Sequence, residues 1–240
     1  MTVHEQIGRA RAAGAGSLDE ATGKDILASY GIAVPRHRIV RDSAELRDAA
    51  LALEPPFVLK VVSSAILHKS DVGGVRLGLR DADEAAAALD AMAEALAAHG
   101  LSADRWLLEE MVPPGQELVI GGLTDPQFGP MVMVGLGGIF IEVLKDVSFR
   151  ICPITRRDAV EMLDELKGAP LLRGARGRPP VDTDAVLDAL MRIGGPDGLL
   201  MSHADALAEL DINPLIATPR GAFAADARFI LRPADASWSA

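Results

Sequence analysis

The sequence predicts an α/β fold with α+β features, and three observations support this prediction. In the first half of the 240 residues, helical segments with N-terminal caps alternate with apolar strand segments. After "VPPG" at 112–115, four short apolar segments separated by turn residues predict successive strands. Two helical segments and a final strand pair follow, so the chain is long enough for two lobes with ample core.

The first half begins with residues 1–16, which are rich in Ala, Gly and Arg and predict a loose arm or a short helix. Ser17 and Glu20 have the spacing of a capping box and predict the start of a helix, which Gly31 is placed to end. A second box, "DSAE" at 42–45, predicts another helix start. The remaining predicted elements of this half are strands at 36–40, 57–62, 75–80 and 105–111 and a helix at 81–100.

The turn at 112–115 is the predicted boundary between the two lobes. We therefore divide the chain into an N-terminal arm at 1–16, an N-terminal lobe at 17–111 and a C-terminal lobe at 112–240. The C-terminal lobe is expected to contain the successive strands, helices near 156–167 and 183–193, and the closing pair "AELDINPLIA" and "GAFAADARFIL".

Composition excludes several classes of function. The formal net charge is -10, which argues against a nucleic-acid or anionic-membrane surface. Cys152 is the single cysteine, so neither an intrachain disulfide nor a cysteine metal cluster can form. The N-terminus lacks the apolar region of a signal peptide, and the longest uncharged run, 126–141, is interrupted by prolines and glycines. We therefore expect a cytoplasmic protein with no membrane and no nucleic-acid partner.

Common catalytic motifs are absent, since the sequence has no P-loop, no G-x-G-x-x-G, no G-x-S-x-G and no H-E-x-x-H. What remains is a set of polar residues within apolar strands. Lys60 lies inside "FVLKVV", either as a strand-end lysine that reaches solvent or as a cation that meets phosphate. Gly73, Gly74 and Val75 could present backbone N–H groups to the same phosphates.

A second set of candidates surrounds the end of the strand at 105–111. The backbone of Met111 and Val112 could bind a purine edge, with Glu109 receiving the adenine amino group and Glu117 the ribose hydroxyls. The alternative interpretation of this acidic stretch is a solvated surface turn, and the residues alone favour that alternative.

Oxygen-bearing side chains recur near the C-terminus. Asp211 and Asn213 alternate with apolar residues in "ELDINPL", so both should lie on one face of a strand. A turn at 219–221 would bring Asp226 back beside them. Carboxylate and amide oxygens suit Mg²⁺, although a strand that buries its apolar face can also simply expose its polar one.

Together these segments resemble the ATP-grasp fold, and in particular the β-subunit of ADP-forming acyl-CoA synthetases, relatives of succinyl-CoA synthetase. The resemblance extends over about residues 17–232 and rests on "FVLKVVSSAILHKSDVGGV", "LLEEMVPPGQELVIG", "VEMLDELKGAPLLRGARGRPPVD" and "ELDINPLIA" with "ADARF". It implies two lobes that grip ATP or ADP with Mg²⁺, and a separate CoA-binding α-subunit as partner in a hetero-oligomer.

The resemblance also implies a role for each candidate. Lys60 would hold nucleotide phosphate under Gly73, Gly74 and Val75; Glu109, Met111 and Val112 would hold adenine, and Glu117 the ribose. Asn213 and Asp226 would bind Mg²⁺, with Asp211 as a further ligand or a supporting group. His68 in "LHKSDVGG" matches the family histidine proposed to relay a phosphoryl group to ADP, because neutral imidazole is nucleophilic near physiological pH. A surface loop histidine is the alternative.

Two other functions remain open at this point. Similar domains are fused to protein acetyltransferases, where a regulatory nucleotide sensor needs no synthetase activity. A standalone ATP-grasp ligase that joins a carboxylate to an amine would need neither the histidine nor a partner. The acyl substrate would bind in the partner.

Overall fold

The computed structural model describes residues 1–63, 66, 69–138, 141, 144–175, 177 and 179–233, and the chain forms two compact units. The large unit comprises Met1–Val34 with Pro113–Ala240, and the small unit comprises Pro35–Val112. The junction at Val112 lies beside the predicted lobe boundary. The N-terminus differs from the predicted division, because the first 34 residues belong to the large unit rather than to an arm and an N-terminal lobe.

Buried side chains of the first two helices explain this difference. Helix α1 (Val3–Ala12) buries Ile7, and helix α2 (Glu20–Ser29) buries Ile26 and Leu27, all within the apolar core of the large unit. An amphipathic helix is stabilised by whichever apolar surface covers its buried stripe, and here that surface is the core of the large unit.

Helix α2 also starts later than predicted. Its N-cap is Asp19, whose carboxylate accepts the N–H of Thr22 at 2.8 Å, whereas Ser17 forms an isolated β-bridge with Ile230. The capping box predicted for Ser17 and Glu20 is therefore wrong. Asp19 is favoured over Ser17 as the N-cap because its carboxylate also complements the positive end of the helix dipole.

The small unit contains a four-stranded antiparallel sheet in the order β1-β4-β2-β3. Helices α3 and α4 pack against each other and against this sheet, and their N-caps are Asp42 and Asp81. One sheet face joins them in an apolar core that includes Leu59, Val61 and Trp106. The elements are β1 (His37–Val40), α3 (Ser43–Ala50), β2 (Phe57–Val62), β3 (Val75–Leu79), α4 (Ala82–Ala98) and β4 (Arg105–Glu110).

The large unit contains a six-stranded sheet whose main path is β10-β8-β5-β6-β7, with β9 paired to β8. Helices α5, α7 and α8 contact this sheet, and none of the described helices is both long and apolar enough to cross a membrane. The elements are β5 (Gln116–Asp125), β6 (Gly129–Leu136), β7 (Val147–Ile151), α5 (Arg156–Asp164), α6 (Ala169–Leu172), α7 (Thr183–Gly194), α8 (Leu199–Ser202), β8 (Leu207–Thr218), β9 (Gly221–Ala224) and β10 (Arg228–Leu231).

The two faces of this sheet differ in what covers them. On the helix side, Leu118 and Ile120 of β5 are fully buried, and a Cβ on Gly122 would lie 2.7 Å from Leu200 of α8. On the other side, Glu117 and Leu123 of the same strand are exposed. We call this second side, which carries Glu117, Gly121 and Leu123, the open face.

Cys152 follows β7 and is buried against α7, where a Cβ on Gly194 would lie 3.1 Å from its Sγ. Burial raises the pKa of the Cys152 thiol to about 12, so almost no nucleophilic thiolate exists at pH 8. We expect iodoacetamide at pH 8 to leave the native chain unmodified and to alkylate it rapidly in denaturant, as measured by mass spectrometry. Rapid native alkylation would contradict the buried position of this side chain.

Candidate functional site

The oxygen cluster predicted near the C-terminus forms on the open face. Along β8, Leu210 and Ile212 are buried, whereas Asp211 is partly exposed and Asn213 is exposed, as the period of two predicts. The chain then returns through β9 and β10, and Arg228 of β10 lies opposite Asp211. Asp226, partly exposed, lies between these two strands, next to Ala225, whose N–H donates to the Pro214 carbonyl at 3.0 Å.

Electrostatics shows that the three side chains interact. Burial raises the pKa of Asp211 above its ordinary value, and the Asp226 carboxylate raises it further. The Arg228 charge and a hydrogen bond with the Asn213 side chain oppose this rise in the pKa. The cluster therefore places two carboxylates and an amide close enough to influence one another.

These donors fit a magnesium ion. Within the described ranges, no three His, Cys, Asp or Glu side chains are placed to hold a metal by themselves. Mg²⁺ usually takes one or two carboxylates and completes an octahedral shell with water and nucleotide phosphates. A cation here would also relieve the mutual repulsion that contributes to the raised pKa of Asp211.

A buried ion pair joins two other candidates in the small unit. Lys60 of β2 and Glu109 of β4 lie 2.7 Å apart, Nζ to Oε1, and their side chains are only 8% and 3% exposed. The strands are paired with Val58 opposite Glu109, so Lys60 is the diagonal neighbour of the carboxylate on the same face. The interpretation of Lys60 as a solvent-exposed strand end is wrong, and so is the surface-turn interpretation of Glu109.

The neighbouring Glu110 is partly exposed, as the surface-turn interpretation of this acidic stretch predicts. Its carboxylate lies 3.0 Å from the Arg36 guanidinium and accepts the Glu54 N–H at 2.9 Å. Alternation along β4 points Glu109 and Glu110 to opposite sides of the sheet, which explains why one carboxylate is buried and the other is not.

The glycine loop is built differently from the predicted phosphate cradle. The N–H of Gly74 donates to the Lys69 carbonyl at 2.7 Å, and the Gly74 carbonyl accepts from Val61 at 2.9 Å. A Cβ on Gly74 would lie 2.5 Å from the Val61 side chain, so this glycine is required for packing. Gly73 is exposed with φ +68°, and Val75 begins β3 opposite Lys60. The predicted use of the Gly74 N–H for phosphate is therefore corrected. His68 lies outside the described residues.

The remaining nucleotide candidates are divided between the units. Met111 and Val112 belong to the small unit and Glu117 to the large one. The Met111 N–H donates to the Pro56 carbonyl at 2.9 Å, so it does not supply the free donor that the sequence suggested. Glu117 is exposed on β5.

The structure thus brings Lys60 together with Glu109, and Asp211 with Asn213 and Asp226. Sequence reasoning missed Arg228 and Gly121, which join Asp211 in one cross-strand row of the open face. Alternation in "DARF" could have indicated Arg228, since Asp226 and Arg228 are two residues apart.

Comparison with known proteins identifies the family of this chain. The sequence matches the ATP-grasp domain family over residues 9–231. The chain belongs to the ATP-grasp family. The predicted fold is thereby confirmed, and this ATP-grasp chain is 43% identical over 216 residues to the beta subunit of ADP-forming acetate–CoA ligase I from Pyrococcus furiosus. That alignment covers 89% of this chain and 91% of the relative.

A longer relative and a solved structure extend the comparison. ADP-forming acetate–CoA ligase I from Archaeoglobus fulgidus is also 43% identical, but this chain covers only 31% of it. A dinucleotide forming acetyl-coenzyme A synthetase 1 from Ca. Korarchaeum cryptofilum, solved with coenzyme A and Ca-AMPCP, aligns with a TM-score of 0.90 at 41% identity. The alignment covers 96% of this chain and 100% of that one. The same protein was solved with Mg-AMPPCP and a phosphohistidine segment pointing towards the nucleotide binding site (TM-score 0.83).

Proposed function

We propose that this chain is the nucleotide-binding β-subunit of an ADP-forming acyl-CoA synthetase. With its partner it would convert acyl-CoA, ADP and phosphate into the acid, ATP and CoA, reversibly. The observation that carries the proposal is the placement of Asp211 and Asn213 on one face of β8 with Asp226 near enough to act on the Asp211 carboxylate. Its donors suit a magnesium nucleotide, and the chain is 43% identical to a beta subunit with this activity in its name.

The proposed nucleotide contacts are assigned residue by residue. Glu109 fixes the Lys60 ammonium by their contact at 2.7 Å, and the proposed role of that ammonium is to bind a nucleotide phosphate. The loop with Gly73, Gly74 and Val75 would cover the phosphates. Glu109, Val112 and the backbone of Met111 other than its engaged N–H would hold adenine, and Glu117 would accept hydrogen bonds from the ribose.

Asp211, Asn213 and Asp226 would hold the magnesium ion. When bound, the ion would offset the negative charge that accumulates on the transferring phosphoryl group. The side chains of Asp211, Asn213 and Asp226 would orient the ion, and none of the three would transfer a proton.

The proposed phosphoryl carrier of this chain is His68. Its neutral imidazole would attack the phosphorus of a phosphohistidine on the partner, so that one N–P bond forms while the other breaks. Both groups are imidazoles, so the exchange consumes no net proton. A terminal oxygen of ADP then attacks the same phosphorus, the N–P bond to His68 breaks, and ATP forms.

A separate CoA-binding α-subunit is the proposed partner. This chain covers 91% of a relative named as a beta subunit but only 31% of the longer ligase from Archaeoglobus fulgidus. The additional part would bind CoA and the acyl group in a hetero-oligomer. We also propose a cytoplasmic location, because CoA and ADP are metabolites of that compartment.

The test compares phosphoenzyme formation in complexes recovered with a tagged copy of the chain from its native cell. The wild-type complex should show CoA-, phosphate- and ADP-dependent turnover and an acid-labile phosphate on histidine of this chain. We expect His68→Ala to abolish that label and to reduce turnover at least 100-fold, on the order of other covalent-catalysis losses.

His99→Ala is the matched control, since His99 is an exposed histidine at the end of α4. It should leave both the label and the turnover unchanged. Full turnover and a normal label in His68→Ala would refute the relay, and turnover of a carboxylate with an amine by the chain alone would favour a standalone ligase.

A further inference from the structure

The open face carries a row of side chains that extends from the oxygen cluster across four more strands. Arg228 of β10 lies opposite Asp211 of β8, and Asp211 lies opposite Gly121 of β5. Gly121 in turn lies opposite Met133 of β6, and Met133 opposite Phe149 of β7. Directly opposed residues share a sheet face, so the row places a guanidinium at one end and an apolar wall at the other.

A cavity of about 220 Å³ lies over this row and is lined in part by Gly121, Met133, Phe149, Asp211 and Arg228. Its floor is kept open at Gly121, where a Cβ would lie 3.0 Å from the Met133 methyl group. A larger side chain at this position would fill the space beside the Asp211 carboxylate. The cavity therefore combines a built-in opening with one guanidinium, that of Arg228, and two carboxylates, those of Glu209 and Asp211.

The Arg228 side chain is exposed and surrounded by acidic groups, yet it pairs with none of them. Glu209 and Asp211 line the same cavity, and Asp226 is two residues away. Across the described part of the chain, Arg228 makes no ion pair and no side-chain hydrogen bond, whereas Arg150 and Arg156 each contact a carboxylate at 2.5 Å. Its charge acts on Asp211 only through space. The planar donors of Arg228 thus remain available to an external anion.

The position of Arg228 relative to Glu117 suggests which anion that is. Glu117 and Gly121 lie on one face of the regular strand β5, four residues or about 13 Å apart. A nucleotide with its ribose at Glu117 and its phosphates on the metal donors would direct its last phosphate along the strand towards the row of Gly121, Asp211 and Arg228.

We propose that Arg228 binds the terminal phosphoryl group of the nucleotide, at the point where that group is exchanged with its carrier. The inference rests on the proposed function and assigns a residue that the nucleotide and metal sets did not contain. A guanidinium can bind two oxygens of a phosphoryl group at once, so it fixes the group's orientation as well as its charge.

The test measures nucleotide affinity by calorimetry on the full chain with Mg²⁺ in excess. Arg228→Gln should weaken Mg-AMPPCP, a triphosphate analogue, about tenfold and Mg-ADP less than about twofold, because ADP lacks the third phosphate. Arg228→Lys should restore part of the triphosphate affinity, since it keeps the charge and loses the paired donors. Mg²⁺ alone should bind no more weakly to Arg228→Gln, because a repelling cation has been removed.

Arg220→Gln is the control, since Arg220 is an exposed arginine at the β8–β9 turn and its removal changes net charge equally. It should leave both affinities unchanged. Equal losses for the two nucleotides, or no loss for either, in Arg228→Gln would overturn the inference while leaving nucleotide binding intact. A wild-type chain that bound neither nucleotide would overturn the proposed function itself, and this inference with it.

Discussion

Replacing Lys60 with methionine should destabilise the chain by about 3–5 kcal/mol, because the Glu109 carboxylate is then buried without its cation. The side chains of both partners are less than one tenth exposed, so solvent screens their attraction little. The free energy of unfolding, measured by urea titration, checks this expectation. In the same variant, Mg-ADP binding should become too weak to measure, because the proposed phosphate contact is removed.

A double variant separates the two roles of the pair. Lys60→Met with Glu109→Met replaces both charges with apolar groups of similar volume, which is often neutral or even stabilising for a buried ion pair. We therefore expect the free energy of unfolding to return close to the wild-type value while Mg-ADP binding stays lost. If the double variant bound Mg-ADP normally, the pair would be structural and the assignment of Lys60 to phosphate would fail.

Arg36→Met provides the matched control for burial. Arg36 and Glu110 lie 3.0 Å apart in the same unit, but their side chains are 58% and 23% exposed. Exposed pairs contribute roughly 0–1 kcal/mol, so this variant should change the free energy of unfolding by less than about 1 kcal/mol and leave nucleotide binding intact. A loss as large as that of Lys60→Met would show that burial does not set the difference.

The Lys60–Glu109 pair also shows where sequence reasoning reached its limit. The pattern of "FVLKVV" and "RWLLEEM" predicted both strands, and it indicated that a lysine within such a strand needs an anionic partner. It could not name the partner, because β2 and β4 are far apart in the chain and their register depends on tertiary packing.

The oxygen cluster was more predictable because its cause is local. Asp211 and Asn213 are separated by one buried residue, and a strand period of two fixes their common face without knowledge of the fold. Asp226 followed from a short reversal of the chain, which the structure provides through β9. The two-residue spacing from Asp226 could have indicated that Arg228 shares its face, but the position of Arg228 opposite Asp211 depends on the pairing of β10 with β8.

The N-terminal helices and the glycine loop were less predictable for related reasons. The amphipathic pattern of α2 predicts a buried stripe, but not that the stripe packs in the core of the large unit. At Gly74, a glycine pair was read as a ligand contact, whereas the close neighbours are the Val61 side chain and the Lys69 carbonyl. A glycine permits close approach equally well to a ligand and to the protein itself.

Asp226→Asn should have the opposite effect on stability from Lys60→Met. Without metal, the Asp226 carboxylate repels that of Asp211, so its neutralisation should raise the melting temperature by about 1–2 °C, corresponding to about 0.5 kcal/mol. Loss of a charged ligand should weaken Mg²⁺-dependent nucleotide binding by more than about tenfold. Thermal unfolding without Mg²⁺ and calorimetric titration of Mg-ADP measure the two effects.

The pH dependence follows from Asp211, whose pKa burial and then Asp226 hold above the ordinary value. A carboxyl group whose pKa is raised in the folded chain adds to the free energy of unfolding at pH values below its ordinary pKa. That contribution is lost as the pH rises through the raised pKa. This loss should be smaller in Asp226→Asn and should vanish in the wild-type chain with saturating Mg²⁺. Glu209→Gln, which removes an exposed carboxylate of the same face, should reduce the loss slightly and leave nucleotide affinity unchanged. If both variants weakened the nucleotide equally, overall charge rather than ligation would explain the effect, and Asp226 would not be a metal ligand.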